Sequence, residues 1–464
     1  MENTALNYLE ANQDKLNRLA GEIWARPEIA LKEEFASRQI ALHLEQAGFS
    51  ITKNIGQMPT AFVAQWGQGK PIIGILGEYD ALPGLSQKVS PDKEPMEENG
   101  PGHGCGHNLL GVASLGAALA VKEAMAQHQL KGTIRYYGCP AEETLVGKVY
   151  MARAGVFHDL DAAITWHPGY LNTVSNVSLA ALNSFKVNFH GVSTHAGATP
   201  QLGRSALKGV ELMDIGVNYL REHISSKARI HSVIPHGGKA PNVVPDYAQI
   251  WYYVRAPKRK QVDAIYSWML DIAKGAALMT QTTYDIEFLT GGHDVLPNKT
   301  IGQVFHEKMK QVGPPQWSSE EMEFAQKLQS NFPKDAVQKS LQYFRMTAEE
   351  IGAPFCKIIK EPSDEVITVG GSSDVGDVSY ITPTAQISTC CQVLGASSHS
   401  WEVVATSGSG IGFKGMIMAA KVMALAALEL ETKPELLVKA REEFEKATQG
   451  KTYVSPLPED AVPL

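Results

Sequence analysis

Four apolar runs recur along the chain: PIIGILGEYD (71–80), TIRYYGCPAEE (133–143), DAAITWHPG (161–169) and TPTAQISTCCQV (382–393). Each gives way to glycine or acidic residues, and segments of helical period separate the first three. Short buried strands alternating with amphipathic helices build an α/β sheet. Open sheets of that kind carry their ligands at the C-terminal ends of the strands. The residues with chemistry here, Asp80, Glu142, Glu143 and His167, stand at those ends. Sequence position alone therefore predicts a shared cleft.

From 181 to 292 the texture changes. NSFKVNFHGV alternates, SALKGVELMDIGVNYLREHI is helical, and RIHSVIPHGG and AQIWYYVRAP alternate again. A second helix, KRKQVDAIYSWMLDIAKGAALMT, and a final strand, YDIEFLTGG, complete a β-α-β-β-α-β order, that of a ferredoxin-like α+β unit. The expected division is a catalytic α/β domain, 1–180 with 293–464, interrupted by a lid and dimerisation domain, 181–292. Residues 293 to 365 read as helical and rich in Lys, Glu and Gln, a cover for part of the main domain.

With 464 residues the chain is long enough for two such domains, and 44% hydrophobic against 20% charged residues is an ordinary globular balance. A net charge of −7 without a basic cluster argues against nucleic-acid binding. Five cysteines without a repeating framework fit a reducing compartment. Cys390 and Cys391 belong to an apolar strand and should be buried. The N-terminal stretch reads as an amphipathic helix, with Leu6, Leu9, Leu16 and Leu19 inward, rather than as a signal peptide. VASLGAALAV and the stretch from Met416 to Leu430 read as too short, or too broken by Lys414 and Lys421, to span a bilayer. A soluble, cytoplasmic protein is the expectation.

GPGHGCGHNLLG, residues 100 to 111, sets Cys105 and His107 two apart in a glycine-rich loop that can turn both toward one point. A surface turn is the plain alternative. Glu142 and Glu143 end a strand and point different ways, so one could bind a metal while the other faces a water; a solvated turn would explain an arbitrary Glu-Glu pair as well. His167 and His399 each follow a strand, where a lone histidine is usually structural. Ligand segments at four strand ends point together to a metal site, and thiolate, imidazole and carboxylate donors suit Zn, Mn or Co better than Ca or Mg. Two other classes compete: a binding protein without turnover, and a cysteine hydrolase with Cys105 as nucleophile and His107 as base. Sensitivity to chelation separates a metal enzyme from a thiol one.

GHGCGHN, CPAEE, TWHP and SSHSWE resemble, in order, the ligand segments of the aminoacylase and carboxypeptidase family of two-metal peptidases, in its amidohydrolase branch. GEYDALPGL, STHAG, PNVVPD and the helix FKGMIMAAKVMA also fall where that family places them. Within the branch, the loop before GHGCGHN, residues 293–365 and GSSDVGDVSY are most similar to members that act on aminobenzoyl-glutamate. The resemblance implies two divalent ions, Mn2+ or Zn2+, bridged by Cys105. His107 and His167 would complete one ion's ligands and Glu143 and His399 the other's. It further implies Glu142 as general base, Asp80 and Glu78 behind the ligands, and His195 reaching the site from a partner subunit's lid. Asn242 and Arg255 would hold the substrate carboxylate.

The expected enzyme is thus a metallo-amidohydrolase cleaving an N-acyl amino acid, p-aminobenzoyl-glutamate first, with a general N-acyl-amino-acid hydrolase or dipeptidase as the alternative. It is expected to be a homodimer joined through the lids, with room for a homologous partner subunit. Two departures stand out. Asn108 replaces the usual aspartate, which should remove a charge near the metals, and Thr144 and Leu145 replace two glycines beside the substrate wall.

Overall fold

The computed structural model describes residues 1–363 and 365–463. The four apolar runs form neighbouring parallel strands in the order Gly132–Cys139, Ile72–Glu78, Ala162–Gly169, Thr384–Cys390. Ser50–Lys53 and Phe62–Gln68 extend one edge antiparallel, and Asn172–Val174 and Ile359–Lys360 extend the other, completing an eight-stranded sheet. From Ile72–Glu78 the chain first crosses to the strand on one side and then to the strand on the other. That reversal makes a topological switch point. Ile72–Glu78 and Ala162–Gly169 pair only from Ile73 opposite Ala162 to Ile75 opposite Ile164, and part before reaching Glu78 and His167. The crevice opens there.

One face of the sheet is covered by helices Glu2–Trp24, His107–Gln127 and Gly410–Thr432, which share the largest apolar core with Ile73, Ile75, Ile134, Ile164 and Ile387. The two apolar stretches read as too short or too broken for a membrane lie in helices of 21 and 23 residues, long and apolar enough to cross one. Lys414 and Lys421 do not interrupt the second helix. What distinguishes these helices is burial: 83% of each apolar window is inside this protein. Cys390 and Cys391 are buried in the same region.

Residues 181–292 form a separate four-stranded antiparallel sheet, ordered Thr283–Gly292, Ala181–His190, Tyr247–Ala256, Arg229–His236. Helices Ala206–Leu220 and Arg259–Thr280 pack on it around a core of their own. Beyond it, helix Lys299–Val312 joins the main core through Ile301, Val304, Phe305 and Met309. The following helices, Ser319–Ser330, Ala336–Phe344 and Ala348–Ile351, pack instead on the segment 391–398 that leads to His399. Leu394 is gripped from both sides there: its N–H donates to the Pro354 carbonyl at 3.0 Å and its carbonyl accepts from Gln329 Nε2 at 2.8 Å.

Candidate metal centre

His107 is the first residue of the helix that follows strand Ile72–Glu78. Gly106 precedes it at φ +81°, where a Cβ would also press to 3.1 Å from the Pro168 ring, so only glycine turns the chain into this helix without strain. The turn sets Cys105 and His107 toward the crevice. His107 Nδ1 lies 2.8 Å from Asp80 Oδ1. The ring donates there, and its buried Nε2 is left without a hydrogen bond. A carboxylate behind a histidine fixes the tautomer with a bare Nε2, the form that binds a metal. The other oxygen of Asp80 accepts the Glu143 backbone N–H at 2.9 Å, so one buried carboxylate locates two candidate ligands.

Glu142 and Glu143 sit in a single 3-10 turn, and the residues on either side, Ala141 and Leu145, both lie in the left-handed region at φ +54° and +53°. Non-glycine residues hold that conformation only where surroundings impose it, and such strain gathers at working sites. Glu33 grips the start of the turn, accepting the Ala141 N–H at 2.9 Å and the Thr60 hydroxyl at 2.9 Å. Leu145 thus takes a backbone shape suited to the glycine expected there.

His167 closes the cluster from the next strand. Its Nδ1 donates to the Pro168 carbonyl at 2.8 Å, which turns Nε2 to Cys105 Sγ at 3.3 Å. His399, itself at φ +55°, brings Nε2 to 3.4 Å from Glu143 Oε2. Its side chain is half exposed while that of Glu143 is buried, so solvent reaches the cluster from the His399 side.

Donor atoms of Cys105, His107 and His167 lie within 4.8 Å of one another, as do those of Cys105, Glu143 and His399. These two sets share Cys105. A third set, Glu78, His107 and Glu142, meets the same test, but Glu78 Oε1 is held by Lys148 Nζ at 2.7 Å and is less free to ligate.

Charge supports the same reading. Glu78, Asp80, Glu142, Glu143 and Asp374 crowd together with one buried lysine, Lys148. Burial, then the charges of Glu78 and Asp374, hold the Glu142 carboxyl well above its ordinary range. Burial also pushes Glu143 up to about 7, against the pull of His107. The Cys105 thiol is driven far up by burial and by Glu143. A nucleophilic cysteine needs the opposite shift, which counts against a thiol mechanism. Divalent cations would reverse these costs, and His107 Nε2, 3.4 Å from Glu78 Oε2, and Glu143 Oε1, both buried without a hydrogen bond, are donors ready for them. The residues fit a metal pair.

Sequence reasoning passed over three side chains of this network, Lys148, Asp374 and Glu33. Lys148 is fully buried, its Nζ bonded to Asp374 and Glu78 and its N–H donating to Asp374 Oδ2 at 2.7 Å. A lysine inside the apolar run LVGKVYMA and the acid in GSSDVGDVSY were the available signals. Asn108 differs from expectation: its amide donates to the carbonyls of Ala20 at 3.2 Å and Ser407 at 3.0 Å, a packing task that an aspartate cannot perform. The substitution therefore acts on the core contacts of the helix. His103 is buried, belongs to none of the three ligand sets, and is pushed down to about 3 by burial and by His107.

Three further expected site residues, His195, Asn242 and Arg255, belong to the stretch 181–292. His195 is exposed, its Nδ1 accepting the N–H groups of Gly197 at 3.2 Å and Ala198 at 3.1 Å. Asn242 lies beside it, its carbonyl accepting the Ala196 N–H at 2.9 Å. Among the described residues no hydrogen bond or ion pair joins either to the ligand cluster. Arg255 Nη1 donates to the Gly370 carbonyl at 3.2 Å and to Ser372 Oγ at 3.1 Å, in the loop that leads to Asp374.

The family described as Peptidase family M20/M25/M40 matches residues 74–402. One of the subunits of the p-aminobenzoyl-glutamate hydrolase of Escherichia coli (strain K12) is 41% identical over 98% of this chain and 97% of its own length. A Xaa-Arg dipeptidase of Mus musculus is 29% identical over 95% of this chain and 91% of its own. Among solved structures, a dinuclear metal-binding peptidase of the M20 family from Bacillus subtilis superposes with a TM-score of 0.56 at 17% identity, covering 90% of this chain and 99% of its own.

Proposed function

The chain belongs to peptidase family M20/M25/M40, and on that premise we propose that it hydrolyses the amide bond of N-acyl amino acids bearing a free carboxylate, p-aminobenzoyl-glutamate first among them. The observation that carries this reading is the pair of three-donor sets joined at Cys105, with Glu142 in the adjoining turn. Identity of 41% over nearly the whole chain to a p-aminobenzoyl-glutamate hydrolase supports the substrate.

In this reading Cys105, His107 and His167 would hold one divalent ion, and Cys105, Glu143 and His399 would hold a second. Such a pair, Mn2+ or Zn2+, supplies a Lewis acid for the amide carbonyl and a water of lowered pKa. Glu142, buried beside the ligands, takes the water's proton and then passes it to the leaving amine. Asp80 holds His107 in its binding tautomer and Glu143 in place. Lys148 neutralises Glu78, which keeps that carboxylate from competing for a metal.

The remaining groups belong to the lid. His195, exposed and without a hydrogen bond to its own chain's cluster, donates to the developing oxyanion in a partner subunit's site. Asn242 and the guanidinium nitrogens of Arg255 not engaged with residues 370–372 receive the substrate carboxylate, a fork well suited to it. A homodimer joined through the lids follows. The Escherichia coli relative is one subunit among those of its hydrolase, which supports a homologous second subunit as a further partner.

The test is a panel of N-acyl amino acids and dipeptides, p-aminobenzoyl-glutamate included, incubated with the Mn-loaded protein while free amine is measured. Release of p-aminobenzoate and glutamate, abolished by a chelator and restored by Mn2+, is the expected result. Turnover that survives complete metal removal would refute the proposal.

A further inference from the structure

The strand that leaves the lid, Thr283–Gly292, pairs with Ala181–His190 in even register as far as Phe288, which lies opposite Phe185. The next pair is Thr290 with Ser184, so Leu289 is an extra residue on one side of the ladder, a β-bulge. Directly opposed residues share a face of the sheet and successive residues alternate. Phe185 belongs to the lid core and Phe288 packs against it, so both face the lid helices. Ser184 faces the other way, and the bulge puts Thr290 on that face with it. Without the extra residue Thr290 would stand opposite Asn183 and turn back toward the lid helices. As built, Thr290 is 3% exposed, and its hydroxyl donates to the Leu145 carbonyl at 2.5 Å.

Leu145 ends the strained turn that carries Glu142 and Glu143. The start of that turn is held by Glu33 and its middle by Asp80, both from the sheet domain. Its end is held from the lid. We propose that Thr290, aimed by the bulge at the lid's root, is a positioning residue that fixes the turn bearing Glu142 and Glu143. The role rests on the reading above, in which Glu143 binds metal and Glu142 moves the proton. It follows that the hydroxyl governs metal affinity and proton transfer together, although Thr290 touches neither metal nor substrate.

Thr290→Val keeps the shape of the side chain and removes its hydroxyl, whereas Thr290→Ser keeps the hydroxyl. Both are compared with wild type by titration calorimetry with Mn2+, by thermal melting, and by kinetics on p-aminobenzoyl-glutamate. For the valine variant, kcat should fall roughly tenfold, as for one lost buried hydrogen bond, with KM within about twofold of wild type and the Mn2+ Kd raised about threefold or more. Its melting temperature should stay within about 4 °C of wild type, and serine should restore both kcat and Kd. Wild-type kcat and Kd in the valine variant overturn the proposal. So does a loss that follows a lowered melting temperature and that serine fails to rescue. A wild-type protein that binds no Mn2+ would refute the metal reading itself, and the positioning role with it.

Discussion

Glu142 and Glu143 adjoin in sequence and differ in what they touch. Glu143 Oε2 reaches His399, and its backbone is pinned to Asp80, while Glu142 is set among Glu78, Lys148 and Asp374. The proposed roles follow from this difference: proton transfer for Glu142 and metal binding for Glu143. Glu142→Gln should bind metal as wild type does and lose turnover by on the order of a hundredfold or more. Glu143→Gln should lose one metal. Elemental analysis alongside kinetics separates them, and equal metal loss in both variants would contradict the assignment. At this scale the candidate ligands were legible because Glu143 and His167 end apolar strands, Cys105 and His107 sit in a glycine-rich loop, and His399 follows the last strand. The partners behind them were not. Lys148 and Asp374 meet across 226 positions, and no local pattern marks a lysine that will be buried against two carboxylates. Asn108 misled for a similar reason: what it touches, Ala20 and Ser407, is set by helices far away in the chain.

The turn from Pro140 to Gly147 is where local geometry is tightest. A Cβ added to Gly147 would lie 1.8 Å from the Pro140 carbonyl oxygen, a backbone atom that can move only by shifting the turn. Gly147→Ala should lower stability by about 1–3 kcal/mol and reduce activity with it. Gly275, within helix Arg259–Thr280, has nothing within 4 Å of its Cβ position. Gly275→Ala should instead stabilise by about 0.5–1 kcal/mol. Denaturant melts of both variants check the opposite signs. The four parallel strands were readable because a buried strand writes a continuous apolar run. Helices His107–Gln127 and Gly410–Thr432 were underestimated because periodicity fades when nearly every side of a helix is covered. The helices from 319 to 351 offered no motif, and their use shows only in contact with the segment preceding His399.

For the molecule as a whole, the four-stranded domain carries an exposed His195 with no hydrogen bond to its own chain's ligands, while its roots hold the sheet domain through Thr290 and Arg255. The proposed dimer, in which a second chain would complete each site, accounts for both. His195→Ala should bind metal and dimerise normally yet lose activity by on the order of a hundredfold. Mixing it with Glu142→Gln under conditions of subunit exchange should restore part of the activity, because one of the two sites in a mixed dimer is then intact. Proven exchange without recovery would place His195 in its own chain's site or in its turn alone.

All of this depends on what Cys105 holds. Anomalous diffraction from crystals grown with Zn2+ answers that directly. Two peaks are expected roughly 3.5–4 Å apart, the spacing of paired-metal sites. Each should lie about 2.3 Å from Cys105 Sγ, one beside His107 and His167 and the other beside Glu143 and His399. A single peak, or an ion held by Glu78, His107 and Glu142 away from the thiolate, would contradict the bridged pair.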